Sequence, residues 1–497
     1  MLPSYRYFML NILASTEAAK LREFFANARF NSQEFRNGPL LADWTLRRFG
    51  VPPYFLDCTR EPTLLNLLWR LFLIGLPVNR ADFAALVPAV LLDTLRASGL
   101  ITLTEGEVIG SVSLMPVDEF LFASDSAERQ FGHAPDLVLW PNQTTRALQL
   151  ATIRRPVEAT LDLGSGCGIL AVMAAGSSQR VVATDLNPRA AEFARFNAWL
   201  NGFENIEATT GDTFEPVRGQ TFDLIVANPP FFVSPTSGLM YCENGMELDQ
   251  YCRRVVREAQ PLLRDGGYLQ MLFEWVQVSG QKWQDRLAEW VEGSGCDVWV
   301  MRTYSRSASG YAHERTKEDF AAGPAAASVK FNEWVAYYRE REVEHICGGL
   351  LVMRKRAGEN WVRFEELHMD DSSPIGDAIL DLFATQTILS ANLPDQELLS
   401  LRPRLSDQAR MQQHLQAQDG RLVLTAFNLV MTGALPATMS LESQVADFLA
   451  KCDGVHTLDQ LAQDLAAKAR VPVEQVRQQC CAIVRKLSER RFLQLAG

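Results

Sequence analysis

The stretch "EATLDLGSGCGIL", residues 158–170, decides the fold. Apolar Leu161 and Leu163 flank Asp162 in a short strand-like run. Gly164, Gly166 and Gly168 then follow in quick succession and open the helical stretch "CGILAVMAAGSS" (167–178). Glycines at this density allow a tight turn and a close approach of backbone to ligand. Their spacing is GxGxG, whereas dinucleotide-binding turns carry GxGxxG.

Further along, "RVVATDLN" (180–187), "NIEATTGDT" (205–213), "FDLIVANPP" (222–230) and "GGYLQMLFE" (266–274) read as strands. A helical stretch, "PRAAEFARFNAWLNG" (188–202), separates the first two. Alternating strands and helices imply a parallel sheet with right-handed crossovers, whose strand C-termini gather on one edge where ligands bind. Asp185 ends the second strand about twenty residues after the glycine turn, the position of a ribose-binding carboxylate. It could equally cap the helix that begins at "NPRAAEFA". Asp212, in "GDTF" (211–214), follows the third strand.

The fourth strand ends oddly. In "FDLIVANPPFFVSP" (222–235) an apolar run stops at Asn228, passes through Pro229 and Pro230, and reaches Phe231 and Phe232. The Asn228 side-chain oxygen and the Pro229 carbonyl are two acceptors that can hold a planar NH2 group with its lone pair facing an electrophile. The prolines fix the backbone so that both acceptors converge. Phe231 can stack on a planar group.

Together, the GxGxG turn, Asp185, "GDTF" and "NPPF" resemble the seven-stranded S-adenosylmethionine-dependent methyltransferases, and within them the "methyltransferase small" group, which methylates nitrogen. The resemblance covers roughly residues 120–355 and extends to an uncharacterised bacterial branch with accessory N- and C-terminal domains. It implies S-adenosylmethionine as cofactor. Asp162, Gly164, Gly166 and Gly168 would face its methionine end, Asp185 its ribose, and Asp212 with Phe214 its adenine. Asn228 would lie between cofactor and substrate, and Asn228, Pro229, Pro230 and Phe231 would form the catalytic motif. Upstream, "VLWPNQTTRALQL" (138–150) matches the region that closes over cofactor and substrate, with Thr144, Thr145 and Arg146 as lining or helix-capping residues.

The fold class is therefore α/β: a seven-stranded Rossmann-like sheet between two accessory regions. Residues 1–119 read as a helical, winged-helix-like domain whose last helix ends at Gly99 before two short strands. Residues 120–356 are the methyltransferase domain. Residues 357–497 form a second accessory domain, winged-helix-like at its end. The polar insertion "TYSRSASGYAHERTKEDFAAG" (303–323) is long for a loop and could serve as a substrate lid.

The totals restrict the partners. At 497 residues the chain exceeds one compact core. Nine scattered cysteines without a CxxC pair argue for reduced thiols, a cytoplasmic setting and no zinc site. No apolar run of about 20 residues exists, so a membrane span is not expected, and the N-terminus reads as mature structure. A formal charge of −11 counts against a nucleic-acid grip over the whole surface and leaves only local contacts. Arg253, Arg254 and Arg257 are one basic cluster, with a solvated helix face as its ordinary explanation.

The leading reading is methyl transfer to an exocyclic amine of a base in RNA or DNA, which the two winged-helix-like regions favour. The alternative is the same chemistry on a protein glutamine amide of a translation factor or ribosomal protein. A non-catalytic adaptor with this fold is disfavoured by the intact motifs, and a nicotinamide-dependent oxidoreductase by "NPPF".

Overall fold

The computed structural model describes residues 9–38, 51–131, 134–236, 238–317, 323–367, 373–390, 393–432 and 435–496. The chain packs as two compact units. The first comprises residues 1–149, 155–294 and 304–355; the second comprises 150–154, 295–303 and 356–497.

Helix α1 (Gln143–Ala151), in the first unit up to Gln149, precedes β1 (Val157–Leu163), α2 (Ile169–Ala175), β2 (Ser178–Asp185), α3 (Pro188–Asn201), β3 (Ile206–Thr210) and β4 (Phe222–Ala227) of that unit. Then come α4 (Gln250–Ala259), the long β5 (Leu263–Val278), α5 (Ala308–Thr316), α6 (Pro324–Glu340) and β6 (Val343–Lys355). The six strands lie in the order β6-β5-β4-β1-β2-β3, parallel except for the antiparallel β5/β6 pair. Seven strands were expected. The strand Cys296–Ser307 is divided between the two units, so the first unit holds six whole strands of this sheet among the described residues.

The order reverses direction at β1. The chain moves outward through β2 and β3, then returns to place β4 on the other side of β1. Neighbouring strands whose connections depart in opposite directions open a crevice at their carboxyl ends. Leu163 of β1 pairs with Ala227 of β4, so the glycine turn and the Asn-Pro-Pro stretch leave the sheet side by side. All but one of the seven β4 and β1 positions from Leu161 to Leu163 and Leu224 to Ala227 are at most 2% exposed, as a strand covered on both faces requires.

The N-terminal elements pack within this same unit. Helix Ser15–Asn27 meets α3, where Arg22 Nη1 donates to the Leu200 carbonyl at 2.8 Å. Strands Ile101–Leu103 and Glu107–Gly110 follow Gly99 and join the earlier Val78–Asn79 in a three-stranded sheet, and a hairpin (Ser113–Val117, Phe120–Ser124) comes next, more strand than the expected pair. The hairpin has a structural role: buried Asn197 of α3 bonds both the N–H and carbonyl of Ala123 and donates to the Cys167 carbonyl, each at 2.8 Å. One amide thus ties the hairpin to the glycine turn.

The stretch 303–323 is not a long loop. Residues up to Ser307 complete a strand and α5 follows; residues 318–322 lie outside the described residues. Tyr311 and Arg315, four apart on one face of α5, turn inward to the fully buried Glu274 of β5. The Tyr304 and Tyr311 hydroxyls donate to its carboxylate, and Arg315 pairs with it at 2.8 Å. The Arg315 guanidinium also lies 3.5 Å from the centroid of Phe232. Burial raises the Glu274 pKa, while Arg315 and the two hydroxyls pull it down. A buried carboxylate with three donors fixes this segment behind the strand end, which is opposite to the behaviour of a lid.

In the second unit, Val298–Arg302 pairs in parallel with Val362–Glu366, and Arg402–Leu405 pairs with Leu493–Ala496. A three-stranded sheet joins Ala409–Gln418, Arg421–Met431 and Ala437–Leu441. Helices Leu458–Ala469 and Val473–Glu489 bury Leu461, Val484 and Leu487 in one apolar cluster. Among the described residues no helix is long and apolar enough to cross a membrane. Replacing Glu274 by Ala should cost about 3–5 kcal/mol in urea denaturation, because Arg315 would be left half-buried without its carboxylate; a loss below about 1 kcal/mol would show that the cluster holds nothing.

Candidate active site

A cavity of about 490 Å3 opens at the carboxyl ends of β1, β2 and β4, within the size range of small-molecule sites. The glycine turn forms its floor. The Gly164 and Ser165 N–H groups both bond the Thr184 carbonyl, at 2.8 and 3.0 Å. Gly166 lines the cavity at φ +53°, and a Cβ there would meet nothing within 4 Å, so bare backbone faces open space. Gly168, at φ +79°, serves another purpose: its Cβ would stand 2.8 Å from Ala194 Cβ, so it allows α3 to pack against the turn.

Asp185 lines the cavity. Its carboxylate accepts from the Gly166 N–H and the Asn187 N–H, each at 2.8 Å, and burial raises its pKa against those two donors. The cap of α3 is Asn187, whose side chain accepts from the Arg189 N–H, so capping does not occupy Asp185. Asp212 also lines the cavity. The Thr213 hydroxyl donates to it at 2.7 Å and Arg254 pairs with it at 2.9 Å, and these partners hold its pKa below the usual value. Phe214 is buried beside it, outside the cavity wall. Asp162 sits beneath the turn, 1% exposed, where one oxygen accepts from the Ala171 N–H at 2.9 Å and holds the first turn of α2.

The strand end after β4 forms the opposite wall. A Cβ at Gly164 would lie 3.6 Å from Pro229 Cα, so the two loops touch. Asn228 and Pro230 line the cavity; Pro229 and Phe231 flank it. The Asn228 amide is oriented by a chain of hydrogen bonds that begins in α1. The Thr145 backbone N–H donates to Asn142 Oδ1 at 3.0 Å, which fixes that atom as an acceptor. The Thr145 hydroxyl, 3.1 Å from the same oxygen, must give its proton there. It can then only accept from Asn228 Nδ2, 3.3 Å away. The Asn228 oxygen therefore turns away from Thr145, and no described residue donates to it or to the Pro229 carbonyl.

The loop is held from outside as well. Asn244 Nδ2 donates to the Pro230 carbonyl at 2.7 Å, and Glu243 accepts from Ser234, Thr236 and the Leu239 N–H. Thr145 lines the cavity, while Thr144 caps with Asn142 and Arg146 pairs with Asp118 at 3.0 Å. Residues not assigned to the site from the sequence also line it, notably Arg254, Tyr251, Glu243 and Asn244. Arg254 belongs to the triplet read as a solvated face. Its signal was its position, one helix turn before Glu258 on the helix after the Asn-Pro-Pro loop, with which it pairs at 2.8 Å.

Buried polar atoms without a partner test the fit of an S-adenosylmethionine molecule. The Ser165 and Thr184 hydroxyls, both in the cavity lining, have none among the described residues. With the bare Gly166 backbone and the Asp185 and Asp212 carboxylates in the lining, these groups suit a cationic, hydroxyl-bearing ligand.

Burial raises the Asp162 pKa to about 7 from an ordinary 3.8, with Asp185 adding to the effect. The folded carboxyl thus binds a proton near neutrality where the unfolded one does not. Its penalty is absent below about pH 4 and complete above about pH 7, so this residue's contribution to stability falls as pH rises through that window. Asp162→Asn, which keeps an acceptor for the Ala171 N–H, should gain on the order of 3 kcal/mol relative to wild type between pH 4 and pH 7.5 in urea titrations. A difference independent of pH would contradict this.

Residues 143–291 match the methyltransferase small domain family. A release factor glutamine methyltransferase of Vibrio cholerae is 33% identical over 159 residues, 28% of this chain and 54% of that protein. Its counterpart in Xylella fastidiosa strain 9a5c is 32% identical over 148 residues, 27% of this chain and 52% of that protein. The chain thus spans about half the length of these curated relatives. A methyltransferase crystal structure from Pyrococcus furiosus is similar over 44% of this chain and 88% of its own, at 18% identity and a TM-score of 0.27. Residues 143–291 are a methyltransferase small domain, of the α/β class that uses S-adenosylmethionine.

Proposed function

We propose that the chain is an N-methyltransferase whose acceptor is a side-chain amide of glutamine in a protein. The observation that carries this reading is the pair of unpaired acceptors, Asn228 Oδ1 and the Pro229 carbonyl, on a loop in contact with the glycine turn. The base amine of RNA or DNA offers the same NH2 geometry and remains the second reading. The names of the relatives favour the amide, as does a net charge of −11. A winged-helix reading of the flanking regions draws support from the helices Arg80–Leu86 and Ala89–Ala97 ahead of two short strands, and from the helix pair before Leu493–Ala496. Such modules dock proteins as well as nucleic acids.

S-Adenosylmethionine, when bound, supplies an electrophilic methyl group. Asp185 would hold its ribose hydroxyls, Asp212 its adenine, and Gly164 and Gly166 its methionine end; Asp162 and Gly168 support that turn from below, and Phe214 is buried beside Asp212, outside the cavity wall. An amide nitrogen is a poor nucleophile because its lone pair is delocalised into the carbonyl. Accepting both N–H groups, Asn228 and Pro229 would set the plane of the amide and leave the lone-pair face toward the methyl group. Pro229 and Pro230 restrict the backbone, and Asn244 holds the Pro230 carbonyl, so the acceptors need little rearrangement. Phe232 is held beneath Arg315, which leaves Phe231, 5.8 Å from it, to cover the planar substrate group. After methylation the nitrogen is acidic enough to release a proton to water without a strong base.

Asn228→Ala should lower kcat at least about a hundredfold with cofactor affinity within about twofold. Thr145→Val, which removes only the hydroxyl, should lower kcat about tenfold, and Thr145→Ser should restore it; loss of cofactor affinity in step with kcat would contradict the assigned roles. The substrate class is tested by incubating the full chain with methyl-labelled cofactor and separate protein, RNA and DNA fractions from cells lacking the gene. Label recovered as methylglutamine after protein digestion supports the first reading, and label confined to nucleosides replaces it with the second.

A further inference from the structure

In the second unit, a cavity of about 500 Å3 is bordered by three arginines, Arg363, Arg490 and Arg491, against two carboxylates, Glu365 and Glu489. Two of the cations share one oxygen. Glu365 Oε2 lies 2.9 Å from Arg363 and 3.5 Å from Arg491, so the nearer guanidinium holds most of that charge. Arg363 also donates to the Glu489 carbonyl at 2.7 Å. Arg491 is the less satisfied partner. Its side chain is 8% exposed, its Nε has no hydrogen-bond acceptor, and its guanidinium lies 5.6 Å from the Trp299 ring centroid. Burial pulls its pKa below the ordinary value.

A desolvated guanidinium with one long ion pair is unfavourable unless another anion completes it. Arginine's planar fork suits phosphate and carboxylate oxygens, which it can bind through two parallel hydrogen bonds. Arg490, exposed at the rim, adds a second cation with no carboxylate partner among the described residues. We infer that this cavity is a binding site for an oxyanion, the phosphate or carboxylate group of a small molecule, with Arg491 as its buried anchor and Arg490 at its rim. The site is separate from methyl transfer and stands whether or not the substrate reading above holds.

Isothermal titration of the full chain in low-salt chloride buffer, with inorganic phosphate in one arm and malonate in the other, tests it. One of the two should saturate a single site with a Kd of about 1 mM or tighter, and the tighter arm identifies the anion class. Arg491→Gln should weaken that binding at least about tenfold and Arg490→Gln about threefold. Should Arg491→Gln fail to fold, the exposed Arg490→Gln decides alone. Absence of saturation in both arms, or binding of unchanged affinity in Arg490→Gln, overturns the assignment.

Discussion

The site depends on one hydrogen bond, from the Asn228 amide nitrogen to the Thr145 hydroxyl. A terminal amide has two orientations of nearly equal shape, one presenting an acceptor to the cavity and the other a donor. Only the first can hold an NH2 group. The choice is made by a backbone N–H at the start of α1, which fixes Asn142 as an acceptor and so passes a direction along the hydroxyl to Asn228. A helix N-terminus outside the sheet thereby sets the polarity of a residue at the end of β4.

That chain of bonds requires the loops to be held in place, and the surrounding structure meets this need from three sides. The register of β1 with β4 brings the glycine turn against Pro229. Asn244 and Glu243 tie down the residues after the prolines. Behind them, Glu274 gathers Tyr304, Tyr311 and Arg315, and Arg315 covers Phe232. Phe231 and Phe232 therefore have different duties although they are adjacent and chemically identical: one is part of the support, and the other remains beside the cavity.

Local features were legible in the sequence because their causes are local. Glycines at 164, 166 and 168, a carboxylate ending β2 and the Asn-Pro-Pro run each announce a backbone geometry within a few residues, and the alternation of strands and helices announces the sheet. Features that depend on distant partners were not legible. Arg254 looked like one of three solvated arginines because Asp212, its partner, is 42 residues away. The segment after Thr303 looked like a loop because its polar and aromatic residues answer to Glu274, about 40 residues earlier. Asp162 looked like a ligand contact, yet its burial and its bond to Ala171 place it under the turn. The acceptor's identity lies in none of these features, since an amide and a base amine present the same planar NH2.

A crystal structure with S-adenosylhomocysteine bound tests the central claim most directly. Asn228 Nδ2 should still lie on the Thr145 hydroxyl, with Asn228 Oδ1 and the Pro229 carbonyl both facing a free space beside the sulfur. An Asn228 amide rotated so that its nitrogen faces that space, or walled off from the sulfur by neighbouring side chains, would contradict it.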